Sequence, residues 1–246
     1  MRYAIVSDIH ANLEALEAVI EDAGDVPLLC LGDTVGYGAQ PNECVDIIRN
    51  RALHTVLGNH DLACGSGSGI EHMNADAAKS AFWTHRRLSG ANIDFLLALP
   101  YVVKAPTFAL VHSSPNHPEN FTYVDDVYEA EEASATCDDL VTFIGHSHLP
   151  GIFKLKPDDH IQHIPIAGYR VLHARSLIEQ GARFIINVGS TGQPRDNDFR
   201  SSYVLYDDAE RTISWRRVEY DVAGAQAKIR ATTLPKNCAD RLESGH

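Results

Sequence analysis

The chain has 246 residues, 44% of them hydrophobic, which suffices for one well-buried core and predicts a single domain over residues 1–246. No segment approaches the roughly 18 to 20 consecutive apolar residues of a membrane span, and the N-terminus lacks the apolar core of a signal peptide, so no membrane partner and a cytoplasmic location are expected. The formal net charge of −12 argues against binding to extended nucleic acid, because an acidic surface repels phosphate backbones.

Strands and helices alternate near the start of the chain. Apolar runs at 2–8, 26–33 and 53–59 predict strands, whereas the apolar spacing at 11–24 and 41–50 predicts helices. This alternation is typical of an α/β fold.

A Gly/Ser-rich stretch then interrupts the pattern. That stretch, residues 64–76, is predicted to be a mobile loop, and the longer segment 64–99 is expected to influence substrate choice. Further along, the pattern predicts helices at 77–88, 92–99, 127–135 and 223–231, strands at 107–113, 139–146, 151–156 and 182–190, and a hairpin over 202–220.

Chemically active side chains follow the predicted strands at the points where the strands end. In open α/β sheets, sites lie beyond the carboxyl ends of the strands, so these side chains are expected to meet at one edge. A single Asp could equally cap a helix, and a single His could be structural, but the set together favours a functional site. Its members are Asp8, His10, Asp33, Asn59, His60, His112, His146 and His148.

The stretch FIGHSHLPG, residues 143–151, places two histidines one residue apart. In extended backbone, residues i and i+2 point to the same side, so His146 and His148 would face one point if the strand direction continued. Neutral imidazole is a common ligand of divalent ions, so the pair indicates a metal site.

The number and type of these residues favour two metal ions over one. A structural zinc site has four ligands, usually including cysteine, and none of the five scattered cysteines joins the set. Two-metal centres hold their ions about 3.5 to 4 Å apart, suit hydrolysis of phosphate esters, and need one bridging carboxylate. Mixed carboxylate, amide and imidazole ligands suit Mn, Fe, Co, Ni or Zn, of which Mn or Fe is the first choice and Zn the third.

The series D-x-H, G-D-x-x-G-Y, G-N-H-D, an isolated His and G-H-S-H resembles the calcineurin-like metallophosphoesterases. The similarity is greatest to their compact bacterial and archaeal phosphodiesterase branch. It runs from Asp8 to His148 and continues in NVGSTGQPRD, residues 187–196. The resemblance implies an α/β fold built as a two-sheet β-sandwich flanked by helices.

The resemblance also implies a role for each matching residue. His60 would not bind metal; it would lie with Asn59 at the substrate phosphate, stabilise charge and protonate the leaving oxygen, while Asp61 would orient it. The implied metal ligands are Asp8, His10 and His148 for the first ion, Asn59, His112 and His146 for the second, and Asp33 as the bridge.

Arg195 is a candidate phosphate clamp, because a guanidinium group offers a fork of hydrogen-bond donors. The alternative is a surface arginine paired with Asp196 or Asp198. The sequence leaves both interpretations open.

The leading hypothesis is a phosphoesterase that hydrolyses a phosphodiester or phosphomonoester of a small phosphorylated substrate by attack of a metal-bound hydroxide. An alternative is a nucleotide hydrolase acting on dinucleoside polyphosphates or cyclic nucleotides. A third hypothesis is a protein-assembly scaffold that has lost parts of the metal site. All seven implied ligands and His60 are present, which argues against the scaffold. The motifs do not indicate whether the chain forms homo-oligomers.

Overall fold

The computed structural model describes residues 1–158, 160–166, 171–174 and 181–246, with the side chains of 72 and 171–174 excepted. The strands are β1 (Arg2–Val6), β2 (Leu28–Cys30), β3 (Ala52–Thr55), β4 (Val102–Lys104), β5 (Ala109–Val111), β6 (Val141–Ile144), β7 (Gly151–Leu155), β8 (Ile161–Pro165), β9 (Val171–Ala174), β10 (Arg183–Asn187), β11 (Ser201–Asp207) and β12 (Thr212–Val218). The α-helices are α1 (Leu13–Ala23), α2 (Pro41–Arg51), α3 (Asn59–Ser66), α4 (Ala75–His85), α5 (Gly90–Leu97), α6 (Val127–Ser134), α7 (Val222–Arg230) and α8 (Lys236–Asp240).

The strands form two six-stranded sheets. The first sheet has the order β3-β2-β1-β11-β12-β9, and the second has the order β4-β5-β6-β10-β7-β8. In the first sheet β2 runs parallel to β1 and β3, and in the second β6 runs parallel to β5 and β10. Because parallel strands end at the same edge of a sheet, the loops after these strands emerge next to one another.

The main core lies between the two sheets. Ile5 of the first sheet shares one apolar cluster with Phe143 of the second, whereas its neighbour Val6 points the other way and packs with Leu16 of α1. On the outer side of the second sheet, Ala130 of α6 belongs to another cluster. Alternating side chains of β1 therefore face the partner sheet and a helix, and the predicted α/β sandwich is confirmed.

Two local predictions in the first hundred residues are wrong. The third predicted strand, 53–59, ends early, because β3 stops at Thr55 and α3 begins at Asn59. The stretch 64–76 is not one loop: α3 continues to Ser66, and a 3-10 turn covers Ile70–His72. Gly67 ends α3 in a left-handed conformation, so part of the glycine content marks a helix end instead of a long loop.

The strands that the sequence did not predict, β4, β8 and β9, all lie at sheet edges. Edge strands bury less of their surface, and the partly exposed residues of β4 and β8 carry a weak apolar pattern. The five cysteines are free and buried, as expected for reduced structural thiols. None of the described helices combines the length and the apolar character needed to span a bilayer.

Candidate metal centre

The loops after the parallel strands of both sheets bring the predicted residues together. The segments after β1, β2 and β3 carry both aspartates, the asparagine and two histidines. The loops after β5 and β6 carry the other three histidines. Among the described residues, three groups have donor atoms within 4.8 Å of one another, and every member is buried. The groups are Asp8 with His10 and His148, His10 with Asp33 and His60, and Asp33 with His112 and His146.

In the group of Asp8, His10 and His148, the two imidazoles direct unprotonated Nε2 atoms at each other. His10 Nδ1 lies 3.1 Å from the Val35 carbonyl oxygen, and His148 Nδ1 contacts the carbonyl oxygen of Gln193. A carbonyl oxygen only accepts, so each Nδ1 donates, and in a neutral ring each Nε2 keeps its lone pair. The two Nε2 atoms are 3.1 Å apart, and His148 Nε2 is 3.3 Å from Asp8 Oδ1. Acceptors at this separation repel unless a cation lies between them.

The group of Asp33, His112 and His146 has the same arrangement around His112. Its Nδ1 donates to the carbonyl oxygen of Leu31 at 2.8 Å. Its Nε2 lies 3.2 Å from His146 Nδ1, 3.3 Å from Asn59 Oδ1 and 3.4 Å from Asp33 Oδ2. Burial is the largest single influence and lowers the pKa of His112, but Asp33, Asp8 and the Leu31 carbonyl together raise that pKa to about 9. In the protein alone, a proton therefore occupies the place that a divalent ion would take.

One oxygen of Asp33 faces both groups. Its Oδ1 accepts the backbone N–H of His60 at 2.8 Å. Its Oδ2 lies 3.8 Å from His10 Nε2 and 3.4 Å from His112 Nε2. The hydrogen bond to Oδ1 thus fixes the carboxylate and leaves Oδ2 between the two groups. This geometry fits a bridging carboxylate, and the donor set as a whole fits a pair of divalent ions.

The backbone that presents these side chains is left-handed at five positions. Residues other than glycine seldom adopt this conformation, and such strain concentrates at functional sites. The prediction that extended backbone carries His146 and His148 to one side is therefore wrong. Strand β6 ends at Ile144, and the two rings reach different donor groups by way of two left-handed residues. The five residues, with φ between 51° and 67°, are Asp8, His10, Asp33, His146 and His148.

His60 belongs to the group of His10 and Asp33, but among the described residues no hydrogen bond joins its ring to Asp61, the residue predicted to orient it. Asp61 instead accepts the backbone N–H groups of Val35 and Gly58, at 3.2 and 3.3 Å. Its carboxylate therefore holds the start of α3 against the loop after β2, and orients His60 only through the backbone. Burial, followed by the charge of Asp33, raises the pKa of Asp61 to about 8.

The ring of His60 is held by packing. Its Nδ1 is buried without a hydrogen-bond partner among the described residues. Gly36 makes room for that atom, because a Cβ at Gly36 would lie 2.5 Å from it. The ring centroid lies 4.6 Å from that of Tyr37. Burial lowers the pKa of His60 to about 4, although Asp33 acts in the opposite direction, so the ring is neutral and has one N–H to donate.

Arg195 lines the same cavity and is not paired with the acids that the sequence offered as alternative partners. Asp196 forms a buried ion pair with Arg217, and Asp198 pairs with Arg200. The Nε atom of Arg195 is buried and has no hydrogen-bond partner among the described residues. Its Nη2 makes only a long contact of 3.5 Å with Gln193 Oε1. The guanidinium can therefore turn to an anion in the cavity, as the phosphate-clamp interpretation requires.

Three aromatic residues of the site were not found from the sequence. Tyr37 packs edge-on against His10 at 4.8 Å, Tyr123 stacks on His146 with ring centroids 4.0 Å apart, and Phe121 lies near His112. Tyr37 stands inside the G-D-x-x-G-Y motif, which could have drawn attention to it. Phe121 and Tyr123 belong to no motif, and only the loop conformation brings them to the site.

The chain is similar in sequence and structure to known phosphoesterases. A family model described as "Calcineurin-like phosphoesterase superfamily domain" matches residues 1–210. An uncharacterized protein of Methanocaldococcus jannaschii is 36% identical over 255 residues, covering 98% of this chain and 97% of its own. The crystal structure of a metallophosphoesterase from Sphaerobacter thermophilus is 36% identical, with a TM-score of 0.86 over 100% of this chain and 99% of that one. A hypothetical protein from Pyrococcus horikoshii shares the fold, with 17% identity and a TM-score of 0.76 over 100% and 98% of the two chains.

Proposed function

This chain belongs to the calcineurin-like phosphoesterase superfamily and is a hydrolase of phosphoric esters. We propose that it uses two divalent ions to hydrolyse phosphodiester or phosphomonoester bonds of small substrates. The observation that carries the proposal is the convergence of nitrogen and oxygen atoms that can ligate a metal ion. Nε2 atoms of three histidines, each fixed by a hydrogen bond from its Nδ1 to a backbone carbonyl, meet two buried carboxylates. Only cations or protons stabilise such an arrangement.

The geometry supports an assignment of the ligands to two sites that share Asp33. Under this proposal, the first ion is held by the group of Asp8, and the second by the group of His112. Divalent ions held there would act as Lewis acids toward phosphate oxygens and would lower the pKa of a water toward neutrality. Under the proposal, the ligands are Asp8, His10 and His148 at the first site, Asn59, His112 and His146 at the second, and Oδ2 of Asp33 at both.

The chain itself binds and orients the phosphate in this proposal. His60 Nδ1 is enclosed beside Gly36, which leaves Nε2 as the ring nitrogen that is available to substrate. A neutral His60 donates one hydrogen bond to a phosphate oxygen, and Arg195 supplies a guanidinium from the opposite loop. Because neither group is held by a carboxylate, both can engage the anion without first breaking an ion pair.

The donor set bears on which ions are used. Imidazole, carboxylate and amide oxygen donors, without thiolate, suit Mn or Fe first and Zn, Ni or Co next. We propose Mn or Fe.

The proposal is tested by a metal-dependent assay on two chromogenic esters. Chelator-treated protein is reloaded with Mn and assayed on bis-p-nitrophenyl phosphate and p-nitrophenyl phosphate, together with the variant His60→Ala. We expect turnover only after reloading, and a loss of roughly 100-fold or more in kcat for the variant, since it removes a donor to the developing charge. The exposed His160 provides a matched control, and His160→Ala should retain full activity.

The relative rates on the two esters distinguish a phosphodiesterase from a phosphatase. Preference for the diester supports a phosphodiesterase, and preference for the monoester supports a phosphatase. Turnover that persists in chelated protein, or full activity in His60→Ala, would contradict the proposal.

A further inference from the structure

The cavity at the candidate metal centre is larger than a phosphate group requires. Its volume is about 400 Å³, which lies in the range of about 300 to 1,000 Å³ that holds whole small molecules. Part of its lining is the polar set described above, and a second part is apolar. The apolar part comes from α3, α4 and the segment between them, and consists of Leu62, Ala63, Met73 and Ala77.

A third part of the lining is an aromatic loop between β5 and α6. We call residues 114–123 the aromatic loop. The backbone N–H of Ser114 donates to the carbonyl oxygen of Thr122 at 3.0 Å, which closes the base of the loop. A 3-10 turn at Pro118–Asn120 forms its tip, and Phe121 and Tyr123 line the cavity. The loop is therefore a closed structure that presents two aromatic rings.

Phe121 adopts a conformation that a bulky side chain seldom takes. Its φ is 50°, in the left-handed region, and this same conformation ends the 3-10 turn. For a large residue, such a backbone is an outlier, and strained positions of this kind cluster at active sites and ligand-binding loops. The centroid of its ring lies 6.1 Å from that of His112 and 5.9 Å from that of Tyr101, so the loop places this ring beside a predicted metal ligand.

Tyr123 combines a fixed ring with an accessible surface. Its ring stacks on His146 at 4.0 Å with an interplanar angle of 18°. The residue nevertheless remains 44% exposed, so much of the ring is free to meet a ligand. Phe121 and Tyr123 thus contact the two histidines of the same donor group. A substituent on a phosphate bound at that group would meet these rings first.

We propose that Phe121 and Tyr123 form a subsite for a planar aromatic group carried by the phosphate of the substrate. This inference rests on the proposed function, because the metal centre is what places the phosphate beside the rings. Flat rings favour flat partners through stacking, and the apolar wall from α3 and α4 covers the rest of the substituent. Polar groups at the same cavity can bind the edge of a heteroaromatic ring, namely Ser68, Asn74 and Asn120.

The subsite is tested by calorimetry with phosphonates, whose P–C bond is not hydrolysed. Phenylphosphonate, cyclohexylphosphonate and methylphosphonate share the anion and differ in planarity and size. For Mn-loaded protein we expect phenylphosphonate to bind roughly tenfold more tightly than methylphosphonate and about threefold more tightly than cyclohexylphosphonate. Tyr123→Ala should abolish the preference for phenyl over cyclohexyl, and Tyr123→Phe should retain it.

Tyr128 is the matched control, because it is 67% exposed and does not line the cavity. Tyr128→Ala should keep the wild-type preference. Equal affinity for the three phosphonates, or an unchanged preference in folded Tyr123→Ala, would overturn the subsite. Calorimetry measures binding without turnover. If the protein prefers phenylphosphonate but hydrolyses no ester, the result contradicts the proposed function and supports the subsite. Ester turnover without a ring preference would contradict the subsite alone.

Discussion

Asp33 is the residue on which the proposed pair of ions depends. One of its oxygens is bound by the backbone N–H of His60, and the other faces the imidazoles of His10 and His112. An amide oxygen carries no charge, so Asp33→Asn should weaken both ion sites. We expect elemental analysis of Mn-loaded, gel-filtered Asp33→Asn to give at most one ion per chain, where the wild type gives two.

The exposed Asp25 provides the control for this measurement. Asp25→Asn removes the same charge from the chain but leaves the site intact, so it should retain two ions. Two tightly held ions in Asp33→Asn would contradict the bridging role.

Gly36 controls the position of His60. Its φ is +91°, and a Cβ there would lie 2.5 Å from His60 Nδ1. Gly36→Ala should therefore push the ring out of place, and a displacement of about 1 Å lowers kcat by about 100-fold. Kinetics on bis-p-nitrophenyl phosphate measure the loss, while the metal content should stay at two ions per chain.

Gly90 offers a matched substitution, because a Cβ there meets nothing within 4 Å and its φ is not left-handed. Gly90→Ala should leave kcat unchanged. A kcat close to wild type in Gly36→Ala would show that the ring position does not matter for the reaction.

At the scale of elements, the loop after β10 contacts both the donor group of His148 and the cavity. The carbonyl oxygen of Gln193 accepts from His148 Nδ1, and Arg195 lines the cavity two residues later. Asp196 then anchors the loop to β12 through Arg217, in an ion pair whose side chains are 2% and 1% exposed. The loop can hold Gln193 and Arg195 in place because this anchor is buried.

Asp196→Asn should destabilise the fold as well as the loop. It leaves the buried Arg217 with one remaining carboxylate, Asp198, 3.9 Å from its Nε. Breaking the nearer of two such buried pairs costs up to roughly 3 to 5 kcal/mol of unfolding free energy. Urea unfolding measures the change. The exposed pair of Arg230 and Asp240 is the control, and Asp240→Asn should cost less than about 1 kcal/mol. Equal effects of the two substitutions would refute the anchor.

The sequence predicted the elements of the interior better than those of the edges. The parallel strands near the site were found because they are continuous apolar runs, whereas the edge strands β4 and β8 lack that signal. The residues with metal-binding chemistry were identified from type and position at strand ends. The backbone conformation that brings them to the site was not predicted, because the left-handed conformation of His146 and His148 leaves no pattern in residue spacing. Phe121 and Tyr123 were missed for the same reason: their place depends on how the aromatic loop closes.

At the scale of the whole molecule, each proposed ion would join the two sheets. The first sheet supplies Asp8, His10, Asp33 and Asn59 from the loops after β1, β2 and β3. The second sheet supplies His112, His146 and His148 from the loops after β5 and β6. Ions held between these loops would cross-link the sandwich at one edge, so binding and stability should be coupled.

Metal removal should therefore lower the melting temperature. An ion at 100 times its Kd adds about 2.7 kcal/mol to the free energy of unfolding if it binds only the folded chain. We expect a thermal scan to show a lower Tm after chelation and recovery of Tm after Mn is restored. Asp33→Asn should respond much less. An unchanged Tm in the wild type would contradict the cross-link between the sheets.

Hydrolysis should depend on two ions at this centre, and a titration of metal-free protein with Mn measures that dependence. Metal-free protein at a concentration well above the Kd is titrated with Mn while the initial rate on bis-p-nitrophenyl phosphate is followed. We expect little turnover up to one equivalent of Mn per chain, a rise with the second equivalent, and a plateau at two. A plateau at one equivalent, or turnover before any Mn is added, would contradict the dependence on two ions.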